Sequence, residues 1–191
     1  RQIEALISPR TSAIVVAHIY GEPADMKGIM AVARRHRIPV VEDCAQSHGA
    51  TLGGRLVGTF GDLAAFSTMF GKHHCTGGQG GVVYTRDERL YWACRRASDR
   101  GKPFGLPAGS GNDNASLNYN LNDLSAVIGS VQLKKLPGIV RRRQALAERI
   151  FKGIKGLALV SAPAFPAGAR PSFWFLRLKF HAGAAACGKK E

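Results

Sequence analysis

The stretch VVEDCAQSHGATLGGRLVGTFGDLAAFSTMFGKHHCTGGQGGVVYT, residues 40–85, determines the fold that we expect for this chain. It opens with an apolar run that ends in an acid, Asp43. A second apolar run, residues 63–67, is followed by a turn that contains Lys72, and a third run, residues 81–85, follows a series of glycines. Short apolar runs rich in branched residues are typical of buried strands. The stretch therefore predicts three strands, with an acid at the end of one and a lysine in the turn after another.

The residues before this stretch predict a strand–helix–strand unit. Residues 13–17 form a continuous apolar run, which is typical of a strand buried on both faces. Residues 23–36 carry apolar side chains at helical spacing, and residues 38–41 form the next apolar run. A helical crossover makes these two strands parallel. No helix-length segment separates residues 63–67 from residues 81–85, so we expect those two strands to be antiparallel.

The residues after this stretch predict three helices. The first spans residues 87–98, and the second begins at Asn122 or Asp123, which can cap it, and ends at Pro137. The apolar stripe of the second helix consists of Leu124, Val127, Ile128 and Val131. A third helix spans residues 139–154. Its inward side chains are expected to be Ile139, Leu146, Ile150 and Ile154.

The order of these elements predicts an α/β fold with a mostly parallel sheet and flanking helices. Two strand-like runs, residues 157–160 and 173–180, come after the α/β pattern and indicate the start of a small α+β domain. We therefore divide the chain into a large domain, residues 1–135, and a linking helix with the start of the small domain, residues 136–191. Both ends of the sequence lie next to predicted elements, so we expect the chain to be a piece of a longer protein.

The composition restricts the class of protein. A net charge of +14, from 27 basic and 13 acidic residues, favours anionic partners. The basic residues are scattered, so a solvated basic surface is the favoured interpretation, a phosphorylated small substrate the second and nucleic acid the third. No apolar run approaches the roughly 20 residues of a membrane helix, and no signal-peptide pattern opens the chain. Four cysteines without a C-x-x-C pair are typical of free thiols in a reducing cytoplasm.

Asp43 and Lys72 together predict a site for pyridoxal 5′-phosphate. Asp43 ends a strand of the parallel type, and ligands of open α/β sheets bind beyond such ends. A buried carboxylate there needs a cationic partner, such as the protonated pyridine nitrogen of the cofactor. Taken alone, Asp43 is better explained as a helix cap or a structural ion pair, and most lysines are surface groups. However, Lys72 can point into the same cleft, and a desolvated amine with a lowered pKa can attack a carbonyl.

Other polar residues of the stretch offer further contacts. Ser67 can bind the cofactor phosphate or cap the strand end, and Gln46 can bond the phenolic oxygen of the ring or satisfy the loop backbone. A zinc site is possible on residue types from Cys44, His48, His73, His74 and Cys75. The spacing of these residues matches no familiar zinc-binding set, so we predict no metal site.

Several segments resemble the DegT/DnrJ/EryC1/StrS family of sugar aminotransferases. Residues 42–50 resemble the acid-and-glutamine motif of the family, and residues 54–62 resemble its following loop. Ser67 and Lys72 match its serine and its Schiff-base lysine. Residues 118–124 resemble its Asn-Tyr-Arg-Met/Leu signature, with Asn120 in place of the arginine. The resemblance extends from about residue 7 to residue 180.

The resemblance implies a fold-type-I, pyridoxal-phosphate-dependent homodimer. It assigns Lys72 to the Schiff base, Asp43 to the pyridine nitrogen, Gln46 to the ring oxygen and Ser67 to the phosphate. Asn118 would reach the cofactor phosphate of the neighbouring subunit, and His18 and Tyr20 would lie on the substrate side.

The implied activity is transfer of an amino group, usually from glutamate, to a keto-sugar that is typically nucleotide-linked. Relatives with histidine at the lysine position catalyse dehydration, so Lys72 indicates transamination. The N-terminal third of the family has no counterpart here and the small domain stops early, so we expect this piece alone to be inactive. The alternatives are a non-catalytic or regulatory member of the same fold and a basic nucleic-acid-binding domain. The chain lacks the interleaved exposed aromatics of a nucleic-acid-binding domain. We therefore predict an enzyme without nucleic-acid or membrane partners, and we expect it in the cytoplasm.

Overall fold

The computed structural model describes residues 2–112, 114–181 and 183. Its first half contains α1 (Gln2–Leu6), β1 (Ile14–Ala17), a 3-10 turn (Ile19–Gly21), α2 (Met26–His36), β2 (Val40–Asp43), β3 (Thr51–Leu52), β4 (Arg55–Leu56), β5 (Leu63–Ser67) and β6 (Gly81–Thr85). Its second half contains α3 (Glu88–Ser98), α4 (Asp123–Gly153), β7 (Val160–Ser161), β8 (Ala169–Arg170) and β9 (Lys179–Phe180).

A four-stranded sheet with the order β1-β2-β5-β6 forms the centre of the described structure. β1 and β2 are parallel, as are β2 and β5, whereas β6 runs antiparallel to β5. Asp43 lies opposite Ala17 on one side and Ala65 on the other, so the strand ends meet at one edge of the sheet. The predicted α/β class is confirmed, as are the two predicted strand directions, parallel for β1 and β2 and antiparallel for β5 and β6.

α2 forms the crossover between β1 and β2 and covers one face of the sheet. It begins after Asp25, whose Oδ1 accepts a hydrogen bond from the Gly28 N–H at 3.2 Å. Its buried side chains Met26 and Ala33 pack with Val40 and other apolar groups of the core. The prediction that β1 is buried on both faces is wrong, because Val15 is 69% exposed. β1 is the edge of the sheet, and no described element packs over that side chain.

α4 is one continuous helix, so the predicted end at Pro137 is wrong. The predicted cap is confirmed, because Asn122 Oδ1 accepts a hydrogen bond from the Ser125 N–H at 2.9 Å. Proline deprives the carbonyl four residues earlier of its helical partner. Pro137 and Leu133 are both exposed, so water can bond that carbonyl and the helix continues. The predicted domain boundary at residues 135/136 falls inside this helix, and the division into two domains stays a prediction.

The two halves of α4 have different surroundings. The apolar stripe of its first half is solvent-exposed, with Leu124 at 80% and Val127 at 64%. In the second half the buried side chains are Val140 and Ala147. The expectation that Leu146 faces inward is wrong, because Leu146 is exposed. The buried residues Val140 and Ala147 each follow a predicted inward residue, Ile139 and Leu146, by one position.

The chain after α4 contains less strand than predicted. β7 and β9 form a short antiparallel pair, and β8 pairs with β3 instead. Most of residues 173–180 are irregular, and Phe173 has a positive φ of 50°. Among the described residues, no helix combines the length and the apolar character needed to cross a membrane.

Candidate active site

The fully buried carboxylate of Glu42 ties the loop before β5 to strand β2. It accepts hydrogen bonds from the backbone N–H groups of Gly58 at 2.7 Å, Phe60 at 2.7 Å and Gly61 at 2.6 Å. No role for Glu42 was predicted from the sequence. Its place in the strand could have indicated a separate role. Neighbouring side chains of a strand point to opposite faces, so Glu42 and Asp43 cannot share one environment. Glu42 thus supports the strand whose last residue is Asp43.

His18 completes the hydrogen bonding of Glu42, and both of its ring nitrogens have a partner. Its Nδ1 accepts a hydrogen bond from the Ala24 N–H at 3.0 Å, so Nε2 carries the proton that is donated to Glu42 Oε2 at 3.0 Å. Burial raises the pKa of Glu42, but the bonds from His18, Gly61 and Gly58 outweigh it, and the net pKa is lowered. His18 is 1% exposed. Its imidazole is therefore buried against Glu42, whereas the family resemblance implied a place on the substrate side.

The arrangement of His18, Glu42 and Cys44 does not suit a metal ion. Of the described residues, only these three form a histidine, cysteine and carboxylate group with ligand atoms within 4.8 Å of one another. Both ring nitrogens of His18 are already engaged, and burial raises the pKa of the Cys44 thiol to about 12. Metals bind the thiolate and a free imidazole nitrogen, so this group is better explained as packing.

Asp43 and Lys72 lie at the same edge of the sheet. Asp43 is exposed at the end of β2, so the expectation of a buried carboxylate is wrong, and its Oδ1 accepts a hydrogen bond from the Ala45 N–H at 3.0 Å. Lys72 is half-buried in a turn that its own N–H closes on the Met69 carbonyl at 2.9 Å. Burial lowers the pKa of Lys72, and the charge of Asp43 opposes that shift in part, with a net lowering. The two groups are therefore close enough to act on each other electrostatically.

The structure joins Gln46 and Tyr20 near this edge. Gln46 Oε1 accepts a hydrogen bond from the Tyr20 N–H at 2.6 Å, which leaves the amide NH₂ of Gln46 without a hydrogen bond among the described residues. Tyr20 is 37% exposed and its ring meets Phe175 edge-on, with centroids 6.1 Å apart. Ser67, at the end of β5, is half-buried, and its Oγ accepts a long hydrogen bond of 3.4 Å from the Met69 N–H.

Asn118 is not brought to this group. It is exposed, pairs with Asp99 in an isolated bridge, and accepts a hydrogen bond from the Asn120 N–H at 3.1 Å. No contact joins it to Lys72 or Asp43 in the described part of the chain. A role for Asn118 at a cofactor would therefore require a second subunit.

Three histidines lie behind Lys72. The His48 ring is 4% exposed and lies 6.2 Å from the His73 ring and 6.1 Å from the His74 ring, measured between centroids. Neither nitrogen of His48 makes a well-aligned hydrogen bond with the described residues. Burial lowers the pKa of His48 to about 4, and the charges of His73, His74 and Lys72 add to the effect. Burial also lowers the pKa of His73.

We expect this cluster to make the fold acid-labile at an unusually high pH. The unfolded chain protonates His48 near pH 6.5, but the folded chain does so only near pH 4. The stability that neutral His48 supplies is therefore complete above pH 6.5 and is lost as the pH falls toward 4. The total loss is about 3 kcal/mol at about 1.4 kcal/mol per pKa unit. Urea unfolding of the full-length protein at several pH values measures it.

His48→Leu removes this titrating group and should reduce the pH dependence between pH 6.5 and 4, leaving the part that comes from His73. His36→Gln removes a surface histidine that pairs with Glu4 and should keep most of the dependence in this range. Glu42 does not interfere in this pH range. Its ordinary pKa is 4.5 and its pKa in the fold is lower, so the stability that it contributes is lost only below about pH 4.5. An unchanged pH dependence in His48→Leu would contradict the assignment.

Comparison with known proteins decides the family. Residues 1–187 match the model of the DegT/DnrJ/EryC1/StrS aminotransferase family. The chain belongs to this family. It is 35% identical to the GDP-perosamine synthase of Escherichia coli O157:H7 over 83% of this chain and 43% of that protein. It is 39% identical to the UDP-N-acetyl-3-dehydro-alpha-D-glucosamine 3-aminotransferase of Acidithiobacillus ferrooxidans over 87% of this chain and 44% of that protein.

Solved structures of aminotransferases share the fold of this DegT/DnrJ/EryC1/StrS chain. The aminotransferase of Psychrobacter cryohalolentis superposes with a TM-score of 0.86 at 33% identity, over 95% of this chain and 50% of that one. DesV of S. venezuelae, solved in complex with a ketimine intermediate, gives 0.85 at 32% identity, over 93% of this chain and 47% of that one. The chain thus spans about half the length of the relatives it matches.

Proposed function

We propose that this chain is the lysine-bearing part of a pyridoxal-phosphate-dependent aminotransferase that transfers an amino group from glutamate to a nucleotide-linked keto-sugar. The observation that carries the proposal is the placement of Lys72 and Asp43 at one edge of the sheet, within electrostatic reach of each other. The printed names of the relatives support the acceptor class, since they include GDP-linked and UDP-linked sugars.

The chemistry of the side chains at this edge fits the cofactor. The exposed carboxylate of Asp43 can accept a hydrogen bond from a protonated pyridine nitrogen and keep it charged. Lys72 has no ion pair within 4 Å among the described residues, so its amine is available to the aldehyde carbon. The amide NH₂ of Gln46 suits the phenolic oxygen, and the Ser67 hydroxyl suits the phosphate. When bound, pyridoxal phosphate supplies an aldehyde and a ring that withdraws electrons.

Lys72 carries both the covalent and the acid–base work in this proposal. Its lowered pKa increases the fraction of free amine at neutral pH. Nζ would hold the cofactor, and as a free amine the same nitrogen would take the proton from the α-carbon of the donor. Glu42 and His18 act only by holding the strand and the loop that position Asp43.

Trapping the cofactor on Lys72 tests the proposal. The full-length protein is incubated with pyridoxal phosphate, reduced with borohydride, digested and analysed by mass spectrometry. We expect the added mass on the peptide that contains Lys72, and its loss in Lys72→Met. Lys134→Met, which removes an exposed lysine of α4, should not change the labelling. A non-catalytic member of the fold would give no specific adduct at Lys72, and that result would overturn the proposal.

The exposed stripe of α4 leads us to propose that the protein is a homodimer. Contiguous exposed apolar side chains mark an interaction surface, and this stripe follows the segment that carries Asn118. Packing of a second copy on the stripe would bring Asn118 toward the neighbouring site, where its amide can bond a phosphate.

Light scattering of the full-length protein tests the dimer. Val127→Asp places a charge in the stripe and should shift the protein toward monomer. Leu146→Asp changes an equally apolar, exposed residue in the second half of α4 and should leave the dimer intact. Equal behaviour of the two variants would count against the proposed surface.

A further inference from the structure

The residues on either side of Lys72 are hydrogen-bonded to one distant segment, residues 172–174. On one side of the lysine, the Gly71 carbonyl accepts a hydrogen bond from Trp174 Nε1 at 3.0 Å. On the other side, His73 Nε2 bonds the Ser172 carbonyl at 2.9 Å. Between these two bonds, the Lys72 ammonium lies 3.9 Å from the centroid of the Trp174 ring. The segment therefore holds the backbone of the turn and contacts its side chain at the same time.

The segment is itself anchored to two other parts of the fold. The Ser172 N–H donates to the Gly21 carbonyl at 2.9 Å, and the Trp174 N–H donates to the Tyr20 carbonyl at 2.8 Å. Arg143, on α4, donates to the Trp174 carbonyl at 3.3 Å. Gly21 has a positive φ of 85°, and a side chain there would meet Ser172 Oγ at 2.7 Å. The position of the indole is thus determined by the loop after β1 and by α4.

The indole face is the direct partner of the lysine. No carboxylate lies within 4 Å of the Lys72 ammonium among the described residues, and tryptophan gives the strongest cation–π attraction of the aromatic side chains. The same ring excludes water from one side of the amine. A lysine held in this way stays at the edge of the sheet where Asp43 lies, although its four-carbon chain is otherwise flexible.

We propose that Trp174 is a positioning residue for Lys72, whose ammonium rests on the indole face whenever the lysine is not bonded to cofactor. The Trp174 Nε1–H fixes the turn, and the ring holds the side chain within it. The catalytic meaning of this contact rests on the proposed function, because a transaminase must release its lysine and keep it near the donor α-carbon. The contact itself can be tested without cofactor.

Chemical labelling of the cofactor-free, full-length protein tests the contact. Limiting acetic anhydride acetylates lysines in proportion to their free amine, and mass spectrometry gives the labelling of Lys72 relative to exposed Lys155. Trp174→Leu should raise this ratio about threefold, because the ammonium loses its cation–π attraction and more of the amine is unprotonated. Trp174→Phe keeps a ring and should have a smaller effect. Trp92→Phe, which changes the other tryptophan of the chain, should have none.

Fluorescence gives a second readout that does not depend on the folding of the leucine variant. The emission of Trp174 is obtained as the difference between the parent and Trp174→Phe. It should change as the pH rises through the titration of Lys72, and the change should be absent in Lys72→Met. An unchanged acetylation ratio in folded Trp174→Leu, or a titration that persists in Lys72→Met, would overturn the inference. Failure of cofactor trapping would overturn the proposed function alone, since both of these measurements are made without cofactor.

Discussion

Replacing Lys72 with methionine is expected to slow amino transfer from glutamate by about a thousandfold or more. The substitution removes the amine that binds the cofactor and that takes the donor α-proton, and general acid–base catalysis alone contributes about 10²- to 10⁴-fold. The lysine side chain has the features that this chemistry requires: it is half-buried, its pKa is lowered by burial, and it lies within reach of the Asp43 charge.

The donor half-reaction measures this loss without knowledge of the sugar. The full-length protein with saturating pyridoxal phosphate is mixed with glutamate, and the rate of change of cofactor absorbance is followed in a single turnover. Lys134→Met serves as the matched control and should react at the parental rate. Lys72→Met should keep the parental unfolding midpoint, because the methionine side chain can pack against Trp174 and has no ammonium group to desolvate. A rate within tenfold of the parent in Lys72→Met would remove the residue from the mechanism.

Replacing Glu42 with glutamine is expected to destabilise the fold by about 3–5 kcal/mol, the usual cost of breaking a buried charged network by removing one partner. Glu42 accepts hydrogen bonds from His18 and from the N–H groups of Gly58, Phe60 and Gly61. A glutamine has only one acceptor oxygen, and its NH₂ group would face donors that then lack a partner.

Urea unfolding of the full-length protein at neutral pH gives the size of this effect. Glu148→Gln is the matched control, since Glu148 is an exposed glutamate of α4 and its substitution should cost little. Loss of the bonds to residues 58–61 should also loosen the end of β2, so cofactor trapping on Lys72 should weaken in the same variant. Equal unfolding free energies for the two variants would show that the buried network does not stabilise the fold.

The sequence was sufficient to predict those features that depend on residues close together in the chain. The strand–helix–strand unit follows from apolar runs separated by a helical segment, and the antiparallel return of β6 follows from the absence of such a segment. The cap at Asn122 is a contact within one turn of helix. Asp43 and Lys72 were found because a strand end and the turn after a neighbouring strand meet at one edge of a sheet, whatever the rest of the chain does.

Longer-range features depended on the tertiary structure. Pro137 lies inside α4 because its face of the helix is open to water, and no sequence pattern reports that exposure. Glu42 and Asp43 are adjacent acids, and only the packing of the sheet shows which of them is buried and which is exposed.

This protein's sequence by itself determined the parallel direction of β1 and β2, the antiparallel return of β6 and the pairing of an acid with a lysine at one sheet edge, because hydrophobic periodicity and chain connectivity are local properties. Only the tertiary structure decided that His18 is buried against Glu42, that Glu42 holds the loop, and that the Trp174 ring lies against Lys72. Trp174 lies 103 residues from the glycine whose carbonyl it bonds, and such contacts are set by the packing of the whole chain.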